Sequence, residues 1–191
     1  MLTVLFATRN GAGRLPRVLG AFERLTAPAG GWKLVVVENA SADDTLAVLR
    51  GFEGRLPLTV LSQPRPGKNA ALNLGLTAAQ GDLVVLTDDD VLPATDWLAH
   101  LRAAADANPA FDLFAGRIVP AFEVEPPEWL ARWAPLDIAY AVHPADLPAG
   151  PVDPGMVWGG NMAVRRCVFD AGLRFDEQVG PNGRAYAMGS E

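Results

Sequence analysis

Short apolar runs alternate along the first 110 residues with stretches whose apolar side chains recur at helical spacing. Strands are predicted at 2–7, 33–37, 58–61 and 82–87, each rich in valine and leucine. Helices are predicted between them at 14–25, 42–52 and 68–80, with Ser41 as the cap of the second. Because strand–helix–strand connections place successive strands in parallel, the order predicts an α/β fold whose mostly parallel sheet is flanked by helices.

The pattern becomes irregular in the second part of the chain. A helix is predicted at 94–108 and a strand at 112–119, but 120–156 is crowded with prolines and carries Trp129 and Trp133 on a short predicted helix. This segment is interpreted as an irregular excursion over one end of the sheet, such as a wall or a lid. The alternative is loop packing with both tryptophans in the core, which is favoured for Trp133. Order returns at 157–165.

Composition and charge narrow the function classes. The chain has 191 residues, half of them apolar, which fits one domain with a substantial core. A formal net charge of −6 argues against binding to nucleic acid, which needs clustered Lys and Arg. No apolar run reaches the roughly 18 residues of a membrane span, so at most peripheral membrane association is left open. The single cysteine, Cys167, fits a cytoplasmic protein and is expected to be buried.

Three consecutive aspartates, Asp88, Asp89 and Asp90, follow the fourth predicted strand. Their charges repel one another, and carboxylates at the end of a buried strand are costly to desolvate unless a cation compensates them. Oxygen ligands suit Mg²⁺ or Mn²⁺, which usually take one or two carboxylates and add water and substrate phosphates. The triplet therefore predicts a site for a metal-chelated diphosphate. The alternative is a solvated acidic turn before the next helix.

Polar residues follow two other strands of the predicted sheet, at 8–10 and 38–41. In a parallel sheet, ligands gather at the carboxyl ends of the strands. These two segments are therefore expected to converge with the aspartate triplet. Their convergence strengthens the prediction of a ligand site.

Five motifs together resemble the inverting glycosyltransferases of family 2. The motifs lie at 6–10, 36–45, 67–73, 81–90 and 159–166, and their order and spacing carry the resemblance. The resemblance implies a GT-A (Rossmann-like) fold and metal-dependent transfer of a sugar from a nucleotide diphosphate sugar to an acceptor hydroxyl with inversion. It divides the single predicted domain, 1–191, into a nucleotide-binding half at 1–110 and an acceptor-side half at 111–191. The acceptor, whether a sugar, a lipid or a small molecule, is not identified by the sequence.

The resemblance also implies contacts with the nucleoside and the phosphates. Thr8, Arg9 and Asn10 are expected beside the nucleobase and ribose, with Glu38 in contact with the base. The family more often has aspartate at the place of Glu38. The donor that the resemblance implies is a UDP-sugar. Lys68 follows a glycine at a helix start and is expected to contact phosphate.

Further implied contacts concern the metal and the donor sugar. The triplet matches an Asp-X-Asp motif, which implies Asp88 and Asp90 as metal ligands for Mn²⁺ or Mg²⁺. Asp88 or Asp89 is expected to contact the ribose and the metal-bound water. Gly160 and Asn161 are expected to lie close to the donor sugar, where glycine permits close approach of the backbone.

Inversion needs a base on the face opposite the leaving diphosphate. The resemblance implies an acidic pair after a glycine-rich loop, and Glu191 matches its first acid. Glu191 is therefore the candidate catalytic residue. We expect a truncated chain that binds the donor but transfers sugar feebly.

Two other functions remain open from the sequence. The first is a sugar nucleotidylyltransferase, suggested by the glycine-containing segment 11–16. The second is a nucleotide-sugar-binding module without transferase activity. It is suggested because the sequence lacks the second acid of the expected acidic pair. Release of diphosphate from a nucleoside triphosphate would favour the first, and donor binding without turnover would favour the second.

Overall fold

The computed structural model describes residues 1–122, 124–133, 141–144 and 146–180. Its strands are β1 (Leu2–Thr8), β2 (Trp32–Glu38), β3 (Leu58–Ser62), β4 (Leu83–Thr87), β5 (Leu113–Ala115) and β6 (Asn161–Arg165). They form one sheet in the order β3-β2-β1-β4-β6-β5. Strands β1 to β4 are parallel to one another, whereas β6 runs antiparallel to both β4 and β5. The predicted α/β fold with a mostly parallel sheet is confirmed.

The helices in the described ranges are α1 (Leu15–Phe22), α2 (Thr45–Arg50), α3 (Lys68–Leu76), α4 (Trp97–Ala107), α5 (Glu128–Trp133) and α6 (Arg166–Asp170). One turn of 3-10 helix lies at Pro154–Met156. The first four helices fall inside the predicted ranges and are shorter at one or both ends. None of the helices in these ranges is long and apolar enough to cross a membrane.

Two apolar clusters cover the sheet, one on each face. Alternate residues of a strand point to opposite faces. In β1, Leu2, Val4 and Phe6 pack with side chains of α1, α2 and α4, whereas Leu5 packs with side chains of α3 and α6 on the other face. Strands that are buried on both faces read as continuous apolar runs, which is why the sequence pattern located them.

The start of α2 differs from the prediction. The helix begins at Thr45, and Ser41 does not cap it, because the Ser41 hydroxyl accepts the Asn10 N–H over 3.0 Å instead. The carboxylate of Asp43 accepts the Thr45 N–H over 3.1 Å and also takes the Ala12 N–H over 3.1 Å. The turn after β2 is thus built onto the loop after β1, which places both strand ends in one structure.

The proline-rich segment contains little regular structure in its described part. His143 is buried and links this segment to the chain just before it. Its Nδ1 accepts the Ile118 N–H over 3.3 Å, so Nε2 donates to the Met156 carbonyl over 2.7 Å. Trp129 and Trp133 on α5 are 64% and 77% exposed, so the core position predicted for Trp133 is wrong. Both tryptophans lie on a short helix that packs too little against the sheet to bury them.

Two further expectations from the sequence differ from the structure. The strand predicted at 112–119 is limited to the three residues of β5. Cys167, expected to be buried, is exposed on α6. A helix this short presents most of its surface to solvent, and its buried contact comes from Phe169 instead.

Gly75 lies where α3 packs on the sheet. A Cβ atom there would overlap the side chain of Leu5 and lie 3.1 Å from Cγ2 of Val37, and both of those residues are buried. We expect Gly75→Ala to destabilise the protein by about 1–3 kcal/mol. That cost exceeds the gain of about 0.5–1 kcal/mol that alanine brings inside a helix. Urea unfolding measures the difference.

Gly20→Ala in α1 is the matched control. The nearest atom that its Cβ would meet is 4.0 Å away, so this substitution should stabilise the protein by about 0.5–1 kcal/mol. Gly75→Ala with wild-type stability would show that α3 can move away from the sheet at little cost.

Candidate functional site

The carboxyl ends of β1, β2 and β4 meet at one edge of the sheet. Thr8 and Glu38 are register partners there, and the Asn39 N–H donates to the Thr8 carbonyl over 2.8 Å. A cleft of about 250 Å³ opens at this edge. It is lined by Ala7, Thr8, Arg9, Arg14, Asn39, Gly67, Lys68, Asp88, Asp89 and Asp90. Six of the residues selected from the sequence therefore line one cleft: Thr8, Arg9, Lys68, Asp88, Asp89 and Asp90.

Asp89 is held by two groups from the beginning of the chain. Thr8 donates its hydroxyl hydrogen to Asp89 Oδ2 over 2.5 Å, and Nη2 of Arg14 donates to the same oxygen over 2.6 Å. Gly11 permits this arrangement, because a Cβ atom there would overlap Oγ1 of Thr8. The hydrogen bond to Asp89 raises the pKa of the Arg14 guanidinium. Asp89 is thus fixed at the wall of the cleft by an ion pair and a hydroxyl.

Asp88 lies between Lys68 and Gly160. Nζ of Lys68, the first residue of α3, is 3.0 Å from Asp88 Oδ1. A Cβ atom on Gly160 would be 3.6 Å from Asp88 Oδ2, an ordinary contact distance. The Thr87 hydroxyl donates to the Gly160 carbonyl over 2.9 Å and holds this segment beside the triplet. The loop before β6 therefore reaches the same site as the first strands.

Asp90 carries the least compensated charge of the triplet. The residue is exposed and lines the cleft. Partial burial raises the pKa of Asp90, and the neighbouring charges of Asp88 and Asp89 raise it further, whereas Arg14 opposes them. A carboxyl whose charged form is disfavoured in this way gains from an added cation.

The donor atoms of the cleft fit a cation that arrives with its own ligands. In the described part of the chain, no group of three or more His, Cys, Asp and Glu side chains could hold a metal ion by itself. Mg²⁺ and Mn²⁺ commonly take one or two protein carboxylates and complete their coordination with water and phosphate oxygens. Asp88 and Asp90 offer such oxygens. The cleft thus fits a metal–diphosphate complex better than a resident metal ion.

Asn10 and Glu38 lie at the same edge without lining the cleft. Asn10 has a left-handed backbone with φ 50°, and its Oδ1 accepts the Ala42 N–H over 2.9 Å. Oε1 of Glu38 accepts the Ser41 N–H over 2.6 Å. Both side chains therefore order the turn after β2, and their contacts with a nucleoside stay a prediction.

Asn161 is tied to the protein interior. Its Oδ1 accepts from Nε1 of Trp97 over 2.8 Å, and its Nδ2 donates to the Arg117 carbonyl over 3.1 Å. The side chain is buried beside Gly116, where a Cβ atom would overlap the amide. The predicted sugar contact of Asn161 is therefore not favoured by its side chain, and Gly160 is the nearer of the two residues to the triplet.

Sequence reasoning assigned no role in the site to Arg14, Asn39 or Gly67, although it expected the segment 38–41 at this edge. Asn39 is buried, and its Nδ2 donates to the carbonyls of Gln63 and Arg65 over 3.1 and 2.8 Å. Its Oδ1 accepts the Gly67 N–H over 2.8 Å. One amide thus shapes the whole loop before α3. Asn39 follows a strand directly, a signal that could have identified it, whereas Arg14 reads only as a helix surface residue.

The segment 175–179 docks on α3 through two asparagines. Nδ2 of Asn69 donates to two carbonyls of the segment over 2.7 and 3.2 Å. Nδ2 of Asn73 donates to a third over 2.9 Å. The helix that begins at the cleft therefore also holds the chain that leads to the predicted catalytic residue. Glu191 itself lies outside the described residues.

Curated relatives of the chain are glycosyltransferases. An uncharacterized glycosyltransferase of Mycobacterium tuberculosis (strain ATCC 25618 / H37Rv) is 31% identical over 173 residues, which cover 90% of this chain and 71% of that protein. Validoxylamine A glucosyltransferase of Streptomyces hygroscopicus subsp. jinggangensis is 32% identical over 112 residues, 58% of this chain and 26% of that protein. The first relationship extends over both halves of the chain.

Solved structures, a mannosyltransferase among them, share the fold. The mannosyltransferase PcManGT from Pyrobaculum calidifontis, in complex with GDP-Man and Mn²⁺, matches 94% of this chain and 48% of its own, with TM-score 0.67 and 28% identity. S. aureus TarS in complex with UDP-GlcNAc matches 93% of this chain and 49% of its own, with TM-score 0.68 and 18% identity. The chain spans about half the length of these structures. The GT-A fold expected from the sequence is confirmed.

A family comparison covers the cleft and the strands that form it. The family model described as Glycosyl transferase family 2 matches residues 3–173. This range includes β1 from its second residue, β2 to β6, the aspartate triplet and the segment around Gly160. Together with the relatives and the shared fold, the match shows that the chain belongs to glycosyl transferase family 2.

Proposed function

We propose that this chain binds a nucleotide diphosphate sugar with a divalent cation, and that the whole protein transfers the sugar with inversion to an acceptor hydroxyl. The observation that carries the proposal is the cleft in which the three aspartates lie with Lys68 and Arg14. Charges of both signs in one cleft suit a ligand that brings a cation and phosphates together. Family membership supports the reaction type.

The metal and phosphate side of the proposed site consists of Asp88, Asp90 and Lys68. Asp88 and Asp90 hold Mn²⁺ or Mg²⁺ through carboxylate oxygens, and Lys68 exchanges its contact with Asp88 for a phosphate oxygen. The cation supplies Lewis-acid stabilisation of the negative charge that develops on the departing diphosphate. Lys68 adds a fixed positive charge to the same oxygens, which lowers the barrier in the same direction.

The nucleoside side consists of the loop after β1 and the end of β2. Thr8 and Arg9 line the cleft, and Asn10 and Glu38 order the turn beside it. Asp89 is available to the ribose from the position where Thr8 holds it. PcManGT was solved with GDP-Man and TarS with UDP-GlcNAc, which supports a nucleotide sugar as donor for this chain. Of these two nucleotides we propose UDP.

The sugar and acceptor side is assigned to the half at 111–191. Gly160 lets the backbone approach the donor sugar beside Asp88, and Asn161 supports that backbone from the interior. The acceptor is an unidentified sugar, lipid or small molecule. We propose Glu191 as the base that takes the proton of the acceptor hydroxyl, and a cytoplasmic location for the reaction.

The first prediction concerns metal-dependent nucleotide binding. UDP is expected to stabilise the chain more strongly with Mn²⁺ or Mg²⁺ than with chelator, because the cation neutralises both the phosphates and the triplet. At 100 times the dissociation constant the stabilisation is about 2.7 kcal/mol. A thermal-shift panel of UDP and GDP with Mn²⁺, Mg²⁺ or chelator measures it, and calorimetry gives the affinities.

Two results would contradict this proposal. Nucleotide binding that is unchanged by chelator would show that the triplet does not hold a metal. Absence of binding for both UDP and GDP under all conditions would remove the donor site itself.

The second prediction concerns Asp90→Asn, which removes one carboxylate from the cleft. We expect Mn²⁺-dependent UDP binding to weaken at least about 10-fold, since changes around a metal commonly cost 10- to 100-fold in affinity. Asp170→Asn, on α6, is the control with the same loss of charge and should bind as wild type. Equal affinities for the two variants would exclude Asp90 from the metal site.

The third prediction concerns the stability of the same variant without metal. The raised pKa of Asp90 means that its charged form destabilises the folded state above that pKa. Asp90→Asn should therefore be more stable than wild type at neutral pH, by less than about 1 kcal/mol for partly exposed charges. The gain should vanish as the pH falls through the raised pKa towards the ordinary value of the carboxyl. Chemical unfolding at intervals of about one pH unit, from roughly pH 4 to roughly pH 8, tests the trend.

The fourth prediction concerns Glu191→Gln in the whole protein. If Glu191 is the base, sugar transfer should fall by about 10² to 10⁴, while UDP affinity stays unchanged. Glu53→Gln, on the exposed turn after α2, is the control. Undiminished transfer by Glu191→Gln would place the base elsewhere.

The same assays separate the two rival functions. The segment 11–16 leads into α1 through a turn in which the Gly11 carbonyl accepts the N–H groups of Arg14 and Leu15. This turn favours a structural role for its glycines. Diphosphate release from a nucleoside triphosphate and a sugar phosphate would nevertheless establish a nucleotidylyltransferase. Donor binding by the whole protein without transfer or donor hydrolysis would establish a binding module.

A further inference from the structure

We infer that Arg14 is a positioning residue that joins the nucleoside side of the cleft to its metal side, an inference that rests on the proposed function. One guanidinium makes three hydrogen bonds. Nη1 donates to the Asn10 carbonyl over 3.1 Å, and Nη2 donates to the Arg9 carbonyl over 2.9 Å and to Asp89 Oδ2 over 2.6 Å. The loop after β1 and the triplet after β4 are thereby tied through a single side chain.

The bond to Asp89 determines which acids are left for a cation. Oδ2 of Asp89 accepts from both Thr8 and Arg14, so this oxygen is engaged at the wall of the cleft and is not offered to a cation. Asp88 and Asp90 remain to hold the cation. In this way Arg14 selects two of three neighbouring carboxylates as the metal side of the site.

The geometry of a guanidinium suits this task. Its planar fork presents several N–H donors in fixed directions, whereas an ammonium is a compact charge on a flexible stem. A lysine at this position keeps the charge but cannot make all three bonds in one orientation. Substitutions at Arg14 can therefore separate the effect of its charge from the effect of its hydrogen bonds.

Arg14 as a positive charge and Arg14 as a positioning residue would have effects of opposite sign on metal binding. A positive charge beside the triplet repels a divalent cation, so removal of the charge alone should strengthen cation binding. Loss of positioning should weaken it, because Asp89 and the loop after β1 no longer hold one arrangement. The direction of change in Arg14→Gln thus distinguishes a simple charge from a positioning residue.

The experiment compares Arg14→Lys and Arg14→Gln with Arg24→Gln as control. Arg24 follows α1 and its Nη1 donates to the nearby Gly20 carbonyl, away from the cleft. Calorimetry measures the affinity for Mn²⁺ at saturating UDP and for UDP with and without Mn²⁺, with circular dichroism as the check of folding. We expect both Arg14 variants to weaken Mn²⁺-dependent UDP binding about 10-fold or more, with little change for Arg24→Gln.

Three results would overturn the inference. Tighter Mn²⁺ binding by Arg14→Gln, with wild-type binding by Arg14→Lys, would show that Arg14 acts only as a charge. Wild-type affinities in both variants would show that it has no role in the site, and loss of folding in both would make it a structural residue. If wild type itself shows no metal-linked UDP or GDP binding, the proposed function fails first, so the two failures are distinguishable.

Discussion

The concentration of negative charge at the end of a buried strand is the constraint on which this structure depends. Every residue of β4 is buried, and the chain leaves it directly into three aspartates. Carboxylates so close together at the edge of a core are unfavourable unless positive charge or hydrogen-bond donors face them. The fold supplies Lys68 from α3, Arg14 from the start of α1 and the hydroxyl of Thr8 from β1. Contacts from three elements of the fold therefore stabilise the turn that carries the triplet.

The positive groups compensate only part of the charge of the triplet, and the uncompensated part can attract a cation. Lys68 and Arg14 contact Asp88 and Asp89, whereas the pKa of Asp90 stays raised. A site that neutralised all three acids would have no need of a further cation. One that neutralised none would be difficult to fold. The observed balance limits the repulsion within the triplet and leaves Asp90 uncompensated for the proposed metal–diphosphate complex.

The sequence predicted the sheet because its strands are covered on both faces and so appear as uninterrupted apolar runs. It also predicted the edge at which the site forms, since parallel strands deliver the residues after their carboxyl ends to the same place. It could not predict side-chain direction. Asn161 lies in register with Thr87 at that edge, yet its amide turns inward to Trp97. Contacts between residues distant in sequence, such as Arg14 with Asp89, leave no local pattern at all.

Predictions from local sequence failed where tertiary contacts, or their absence, decided the outcome. Ser41 has the residue type and position of a helix cap, but its hydroxyl serves Asn10 instead. Trp133 has the composition of a core residue but lies on a helix of six residues with little to pack against. In both cases the decisive information is a tertiary arrangement, which intrinsic preferences of single residues do not contain.

Strand β6 runs antiparallel to β4, so the two ends of this short strand lie at opposite edges of the sheet. Its first residue pairs with the end of β4 at the cleft, and its last pairs with the beginning of β4 at the opposite edge of the sheet. Cys167 is the second residue of α6, which follows β6 directly; it is exposed and is the sole cysteine of the chain. A thiol-reactive fluorophore or a surface tether can therefore be attached at one defined point, with the full depth of the sheet between the label and the cleft lined by the aspartate triplet.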